Sequence, residues 1–226
     1  MTSRYALYEI NKLRDRFNLT KGVPKGVKPH YNISPAQLVP VIVNRNGVNQ
    51  IQMMKWGFIP AGAKDINSIF RYKTFNARSE AVFDKPTWMT AIRSQRCLVP
   101  ANGFYEWKTT GNDKNPYFIQ ACDQPLFGFA GLYSSWTDPS GVEYGMCSII
   151  TVDSEATDDM TPSRLPVIVR PNEEADWLNP EIDGMNSIYM TMRPYDLDKL
   201  KIIRVGTDIN SAKIDKPGLI EHLKIK

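Results

Sequence analysis

Five short clusters of polar and aromatic residues are the places in this sequence where chemistry could reside. They occupy residues 31–35, 56–60, 76–80, 103–107 and 164–168. In the fourth cluster Glu106 stands beside Phe104, Tyr105 and Trp107, a neighbourhood that is unusually apolar for a carboxylate. A carboxylate whose pKa is tuned by its surroundings can serve as a general acid or base. Glu106 is therefore a candidate for proton transfer, and the alternative is an ordinary surface carboxylate on a strand.

Familiar catalytic motifs are absent from the sequence. It contains no GxSxG, no P-loop, no HExxH and no GxGxxG after a strand. Its three cysteines, Cys97, Cys122 and Cys147, lie far apart and form no CxxC pair. Its two histidines, His30 and His222, do not match any familiar zinc spacing. We therefore expect reduced cysteines that are buried as small apolar residues, no metal site and no cofactor.

Length and composition are typical of an ordinary globular domain, with 226 residues of which 42% are apolar and 23% charged. Because the sequence has no repeat, low-complexity tract or linker, we expect a single domain over residues 1–226. No stretch approaches the roughly 20 apolar residues of a membrane span, and the first residues do not resemble a signal peptide. We therefore expect a cytoplasmic protein that does not contact membranes. Its formal charge of +4 permits a polyanionic partner without requiring one.

Short strands must position most of the clusters. Turn-rich segments separate β-rich runs at residues 96–99, 104–108, 117–121, 126–134 and 146–152, and further strands are predicted at 38–43, 51–58 and 201–205. Helical patterns are predicted at residues 9–17, 86–94, 172–178 and 195–200. The predicted fold class is therefore α+β, with a mainly antiparallel, curled, barrel-like sheet and a few flanking helices.

In their order and separations, the five clusters resemble the SRAP family, which is named for SOS response-associated peptidases and understood as abasic-site processing proteins. The resemblance extends from Arg4 to about Leu219, and it includes residues 96–100, which lead into the fourth cluster. One such cluster would be weak evidence, whereas five in order over nearly the whole chain are specific. The resemblance implies an SRAP-like fold and a role on damaged DNA in the SOS response.

The resemblance also implies a mechanism that uses the start of the chain. In that family the initiator methionine is removed and residue 2 is a cysteine. Its α-amine and thiol capture the ring-opened aldehyde of an abasic site in single-stranded DNA as a thiazolidine. By motif match, Asn76 would orient residue 2 and the sugar, while Glu106 would act as general acid and base on the sugar hydroxyl and the carbinolamine. A histidine two residues before Arg164 normally completes this set.

This sequence departs from that pattern at two of the four positions. Residue 2 is Thr2, and Pro162 stands two residues before Arg164. A hydroxyl is a much poorer nucleophile than a thiol at neutral pH, so we do not expect a stable five-membered adduct. The α-amine of Thr2, whose ordinary pKa is about 8, could still form a Schiff base with an aldehyde if Met1 is removed.

A DNA-binding set is also implied by the resemblance. Arg4, Arg78 and Arg164 would contact phosphates, because guanidinium groups suit bidentate phosphate contacts. Trp56 is expected to touch a base. The remaining members of the set are Asn32, Pro35, Trp107 and Thr151. The implied partner of this monomer is single-stranded DNA, or a single-strand/duplex junction, with an abasic site in a bacterial or phage nucleoid.

Three functions remain open at this point. The first is an abasic-site enzyme that acts through the Thr2 amine by transient imine chemistry, with strand cleavage by β-elimination as a further step. The second is a DNA-binding module that keeps the groove and has lost covalent capture. The third is a protease in the sense of the family's name. It ranks lowest because no Ser/His/Asp or Cys/His arrangement can be written.

Overall fold

The computed structural model describes residues 2–59, 65, 67–111, 113–154 and 161–223. The strands are β1 (Arg4–Leu7), β2 (His30–Ile33), β3 (Leu38–Arg45), β4 (Val48–Trp56), β5 (Asn76–Arg78), β6 (Arg96–Ala101), β7 (Gly103–Thr110), β8 (Asp113–Ala121), β9 (Phe127–Thr137), β10 (Glu143–Asp153), β11 (Arg164–Pro166), β12 (Ile168–Val169) and β13 (Leu200–Arg204). The α-helices are α1 (Leu13–Arg16), α2 (Ser68–Tyr72), α3 (Pro86–Ser94), α4 (Glu174–Leu178) and α5 (Met185–Thr191). Short 3-10 turns lie at Ile10–Lys12, Ser79–Ala81, Pro171–Glu173, Leu197–Lys199, Thr207–Asn210 and Pro217–Ile220.

Five of the strands close into a small barrel. β3 pairs with β4 and β6, β6 pairs with β9, β9 pairs with β10, and β10 returns to β4. The pairing of β10 with β4 is parallel and the other four are antiparallel. One parallel pair is required because strands that strictly alternate in direction cannot close a ring of five. Closure pairs both edges of each barrel strand, as in other closed sheets.

A second sheet holds the start of the chain. Its strands follow the order β13-β8-β7-β1-β2, and every neighbouring pair is antiparallel. The chain passes from the barrel into this sheet at Asn102, which lies between β6 and β7. On one face, Tyr105 belongs to an apolar cluster with Ile209 of the C-terminal segment. On the other face, the ring of Phe104 contacts that of Phe129 in the barrel, with centroids 5.9 Å apart.

β10 extends beyond the barrel and joins two short strands to it. Its first part, as far as Ile149, pairs with β9, and its last residues pair with β5 and with β11. Thr151 lies opposite both Arg78 of β5 and Pro166 of β11. The third and fifth polar clusters, which are far apart in the sequence, are therefore neighbours across β10.

The predicted fold class is confirmed, because the chain combines a mainly antiparallel, closed sheet with a few short helices. The predicted helix at residues 86–94 is α3, and it begins at a proline because the first helical residue needs no intrahelical amide hydrogen bond. This helix buries Trp88, Ala91 and Ile92, as its spacing predicts.

The other predicted helices are shorter than expected. Residues 9–17 and 172–178 each divide into a 3-10 turn followed by about one turn of α-helix. Within residues 195–200 the helical part is limited to the 3-10 turn Leu197–Lys199, because Leu200 already begins β13. Among the described residues, no helix is long and apolar enough to cross a membrane.

One cysteine differs from the prediction. Cys97 and Cys147 are buried in barrel strands, as expected. Cys122 is exposed, because β8 ends at Ala121 and the chain turns outward there. The expectation of three buried cysteines is therefore wrong for Cys122.

Asn102 fastens the segment after β1 to the junction of the two sheets. It is fully buried, and its Oδ1 accepts hydrogen bonds from the backbone amides of Tyr8 at 2.8 Å and Glu9 at 3.1 Å. Its Nδ2 donates to the carbonyl oxygen of Pro125 at 2.7 Å and to Oε2 of Glu9 at 3.0 Å. All four hydrogen-bonding positions of the side-chain amide are thus used.

We expect Asn102→Ala to lower the free energy of unfolding by about 3 kcal/mol, because the backbone amides of Tyr8 and Glu9 lose their acceptor. Chemical denaturation of the purified variant measures this loss. Asn186→Ala, at an exposed position of α5, is the matched control and should change stability by less than about 0.5 kcal/mol. Equal stabilities of the two variants would contradict the role of Asn102.

Candidate active site at the start of the chain

β1 places the start of the chain against β7, where Glu106 lies. Arg4 pairs with Tyr105 in an antiparallel register, so the residues before Arg4 lie beside the residues after Tyr105. The hydroxyl of Thr2 donates a hydrogen bond of 2.8 Å to Oε1 of Glu106. Thr2 is fully buried, and Glu106 is only 9% exposed. Residues that are 104 positions apart in the sequence are thus joined by a buried hydrogen bond.

Asn76 contacts the same residue 2 from β5. Its Nδ2 donates to the carbonyl oxygen of Thr2 at 2.7 Å. Its Oδ1 is buried and has no hydrogen-bond partner among the described residues. Such an acceptor is uncommon in a folded protein and is available to a ligand. The predicted convergence of Thr2, Asn76 and Glu106 is confirmed as geometry, and their catalytic roles stay predictions.

Burial raises the pKa of Glu106 above that of an ordinary glutamate, because desolvation disfavours the charged carboxylate. The hydrogen bond from Thr2 and the positive charge of Lys114 lower this pKa but do not cancel the effect of burial. A carboxyl group with a raised pKa keeps its proton closer to neutral pH. The structure therefore provides a potential proton donor in direct contact with residue 2.

A cavity of about 220 Å³ opens beside Glu106. Its lining consists of Glu106, Trp107, Lys108, Thr109, Tyr117, Ile119, Thr161, Pro162 and Ile202. Pro162, at the position where the resemblance expects a histidine, thus faces the same cavity as Glu106. The proline side chain has no group that gives or takes a proton, so position 162 provides no second acid–base group beside Glu106. In the described part of the chain, no group of three His, Cys, Asp or Glu side chains could hold a metal ion.

Comparison with known proteins identifies the family. The profile of the SOS response associated peptidases (SRAP) matches residues 1–212. The chain belongs to the SRAP family. It is 35% identical to the abasic site processing protein YoqW of Bacillus subtilis, over 98% of this chain and 99% of that protein. It is also 34% identical to the abasic site processing protein YoaM of the same organism, over 98% of each.

Solved structures agree with this assignment. The crystal structure of a Bacteroides thetaiotaomicron protein superposes on this SRAP chain with a TM-score of 0.84. The two chains are 27% identical, and the superposition covers 98% of this chain and 99% of the other. The arrangement of the barrel and the second sheet is therefore shared with this solved relative over nearly its full length.

The three arginines of the predicted DNA-binding set differ in how free their guanidinium groups are. Arg78 is exposed on β5, two residues after Asn76. Arg4 is half-buried, and one of its donors is used by a backbone carbonyl at 2.8 Å. Arg164 is only 17% exposed and forms two hydrogen bonds of 2.9 Å with the carboxylate of Glu80. Arg78 is thus the most accessible of the three.

Two other members of the set lie at the surface only in part. Pro35 is half-buried in the turn after β2. Trp107 is half-buried at the cavity, and its Nε1 donates to Oδ1 of Asn210 at 2.7 Å. Their contacts with DNA stay predictions. Pro60, which ends the second cluster, and Met1 lie outside the described residues.

Three predicted DNA contacts are wrong, because the side chains are buried. Trp56 has no exposed surface, and its indole Nε1 donates to the carbonyl oxygen of Phe75 at 2.8 Å. Thr151 is fully buried, and its hydroxyl lies 3.4 Å from the carbonyl oxygen of Ala77. Asn32 is 2% exposed, and its Nδ2 donates to two backbone carbonyls of the C-terminal segment at 2.8 and 3.0 Å. These residues support the site from within the fold and cannot reach a base or phosphate.

Two interactions between charged groups have no signal in the local sequence. Glu80 lies in the third cluster, but its partner Arg164 is 84 residues away. The positive charge of Lys114 lowers the pKa of Glu106, because β8 folds back beside β7. Both pairings depend on strand register, so residue spacing along the chain does not reveal them.

We predict that Glu106→Gln raises the midpoint of thermal unfolding at about pH 8, and that this gain shrinks as the pH falls toward about 5. The folded-state pKa of Glu106 lies above its unfolded value, so the wild type is most stable when Glu106 is protonated. It loses stability as the pH rises through the folded-state pKa, whereas glutamine does not ionise. Thermal melts across this pH range test the prediction.

Glu143→Gln is the matched control, because Glu143 is exposed at the start of β10. It should give no gain that depends on pH. A lower midpoint for Glu106→Gln at every pH would show that the ionised carboxylate stabilises the fold.

Proposed function

We propose that this protein processes abasic sites in single-stranded DNA, or at single-strand/duplex junctions, through the α-amine of Thr2 after removal of Met1. The observation that carries the proposal is the buried contact in which Thr2 bonds to Glu106 while Asn76 holds its carbonyl oxygen. The relatives named abasic site processing proteins, at 34% and 35% identity over nearly the whole chain, support it.

The first step is attack by the amine. Removal of Met1 turns the Thr2 nitrogen into a free α-amine, whose ordinary pKa of about 8 leaves a useful fraction unprotonated at neutral pH. The nitrogen lone pair attacks the aldehyde carbon of the ring-opened sugar, and a proton passes from nitrogen to oxygen to give a carbinolamine. Glu106 then donates its proton to the carbinolamine hydroxyl, which leaves as water, and the protonated imine forms.

Hydrogen bonds prepare the site for this step. The Asn76 amide fixes the carbonyl group of Thr2, and with it the direction of the neighbouring amine. The buried Oδ1 of Asn76, which no described residue contacts by a hydrogen bond, can accept one from a sugar hydroxyl. The Thr2 hydroxyl holds the carboxyl group of Glu106 next to the reacting carbon. Holding the groups in place before the substrate arrives lowers the entropic cost of the reaction.

Thr2 makes the covalent product reversible. Addition of its hydroxyl to the imine would give an oxazolidine, which hydrolyses more readily than the thiazolidine formed by a thiol. The imine has a second route, in which the Glu106 carboxylate removes a proton from sugar carbon 2. The bond from carbon 3 to the phosphate oxygen then breaks, and the phosphate leaves as the strand is cut.

We further propose that the protein binds DNA mainly through phosphates, with Arg78 and Arg4 as contacts, and acts as a monomer at the nucleoid. The three groups of the site come from one chain, so no second copy is needed. A DNA-binding module without covalent chemistry is the second candidate, favoured by Thr2 and Pro162 at the two positions where the resemblance expects cysteine and histidine.

We expect the protein with Met1 removed to be trapped on an oligonucleotide with an abasic site when borohydride is present, because reduction converts the imine into a stable amine. Without reduction, the complex should dissociate on denaturation. Denaturing gels measure both outcomes, and intact mass measures whether the N-terminal residue is Thr2. If reduction traps nothing on protein that begins at Thr2, the non-catalytic module becomes the better function.

Two variants serve as opposite controls for this experiment. Thr2→Cys should restore a cross-link that resists denaturation without borohydride, because the thiol closes the ring. Glu106→Gln should reduce the rate of trapping by about 100-fold, as expected for loss of a general acid. A permanent cross-link in the unreduced natural protein would show that the argument from thiol chemistry is wrong.

We expect Pro162→His to accelerate imine formation or strand cleavage by about tenfold or more, because an imidazole at the cavity would add a second acid–base group. Single-turnover assays with and without borohydride measure the two steps. Pro162→Ala is the matched control and should give no acceleration. Equal rates for the His and Ala variants would exclude proton transfer from this position.

A further inference from the structure

Arg164 and Glu80 form a planar ion pair across β10. Nη1 of Arg164 donates to Oε1 of Glu80 at 2.9 Å, and Nη2 donates to Oε2 at 2.9 Å. Nη2 also donates to the backbone carbonyl of Thr151 at 2.8 Å. Arg164 thus reaches from β11 over β10 to the 3-10 turn that follows β5.

This arrangement leaves no open edge on the guanidinium group. Glu80 occupies the edge formed by the two terminal nitrogens, and the carbonyl of Thr151 takes another hydrogen of Nη2. Nε of Arg164 is buried and has no hydrogen-bond partner among the described residues. A phosphate therefore cannot form a bidentate contact with Arg164 while Glu80 stays in place.

Glu80 is the outer and more exposed partner of this pair. Its side chain is 49% exposed, whereas that of Arg164 is 17% exposed. Burial by itself would raise the pKa of Glu80, but the hydrogen bonds from Arg164, a backbone hydrogen bond, the charge of Arg164 and the Ser79 hydroxyl together outweigh it, so the net pKa is lowered and the carboxylate stays ionised at neutral pH. Because Glu80 is half exposed, its carboxylate can return to water when another anion takes its place.

We propose that Glu80 is a displaceable stand-in for a DNA phosphate, which takes its place on the end edge of Arg164 when the strand binds. Carboxylate and phosphate both offer two oxygens that match the guanidinium fork. The inference rests on the proposed function. It assigns Glu80 a role in lowering the affinity for DNA, because a phosphate must displace its carboxylate from Arg164. Exposed Arg78, which lies beside Thr151 in the strand register, is a second positive charge close to this ion pair in the sheet.

The test measures binding of an oligothymidylate without an abasic site, by fluorescence anisotropy at several salt concentrations. Glu80→Gln should bind about threefold to fivefold more tightly at low salt. Its plot of log affinity against log salt should keep the slope of the natural protein, because the phosphate contacts Arg164 in both, whereas Arg164→Ala should lower that slope by about 0.7, the value for one phosphate contact on a single strand. In an Arg164→Ala background, Glu80→Gln should change neither quantity.

The matched control is Glu143→Gln, which removes the same charge at the far end of β10 and should leave the affinity unchanged. A gain for Glu80→Gln that persists without Arg164 would reduce the effect to general electrostatics and overturn the proposal. Weaker or unchanged binding of Glu80→Gln would also overturn it, and would make Glu80 a fixed structural partner of Arg164.

A second measurement uses the natural protein and does not depend on a variant that folds. The side-chain carboxyl resonance of Glu80, followed by NMR during titration with the oligothymidylate, should move toward that of a free carboxylate. A resonance that stays unchanged at saturation overturns the proposal alone. If the natural protein binds no single-stranded DNA at all, both this proposal and the proposed function fail. If borohydride trapping is observed while the Glu80 resonance stays unchanged, the proposed function stands and only this proposal fails.

Discussion

The hydrogen bond between the Thr2 hydroxyl and the Glu106 carboxyl group is the contact on which the arrangement of the site depends. A carboxyl group with so little exposure needs a polar partner, because burying it alone is costly. That partner comes from Thr2, so β1 lies beside β7 and is tied to it by a side-chain hydrogen bond as well as by strand pairing. Asn102 secures the segment that follows β1. Thr2 is therefore part of the interior of this protein.

Burial also makes the groups of the site more reactive. Desolvation raises the pKa of Glu106, which makes the residue a better proton donor near neutral pH and a less favourable charge in the folded protein. Oδ1 of Asn76 has the same character, since it has no partner among the described residues and a sugar hydroxyl could satisfy it. Perturbed and unsatisfied groups of this kind concentrate at functional sites, where stability is given up for reactivity.

β10 has a second organising role, because its first part pairs with β9 and β4 in the barrel and its last residues pair with β5 on one edge and β11 on the other. Arg78 and Arg164 meet there, but their environments differ. Arg78 faces solvent, whereas Arg164 is enclosed by Glu80 and the carbonyl of Thr151. An arginine in a DNA-binding motif is thus not in itself a free cation, and its availability to phosphate depends on its partners in the fold.

The sequence by itself determined the α+β class, the eight strands of five or more residues and α3, because these depend on local periodicity, turn residues and a proline at the first helical position. It did not show the five shorter strands, which are too brief for a periodic pattern. The meeting of residue 2, Asn76 and Glu106 followed from the resemblance of five ordered clusters, which local patterns alone would not have shown. Only the tertiary structure decided that Trp56 is buried and that Arg164 is held by Glu80. A tryptophan at the end of a strand faces inward or outward according to the pairing of β4 with β3 and β10, and an ion pair across β10 depends on the register of three strands. Both are set by contacts between distant parts of the chain, whose packing energies no local pattern of residues records.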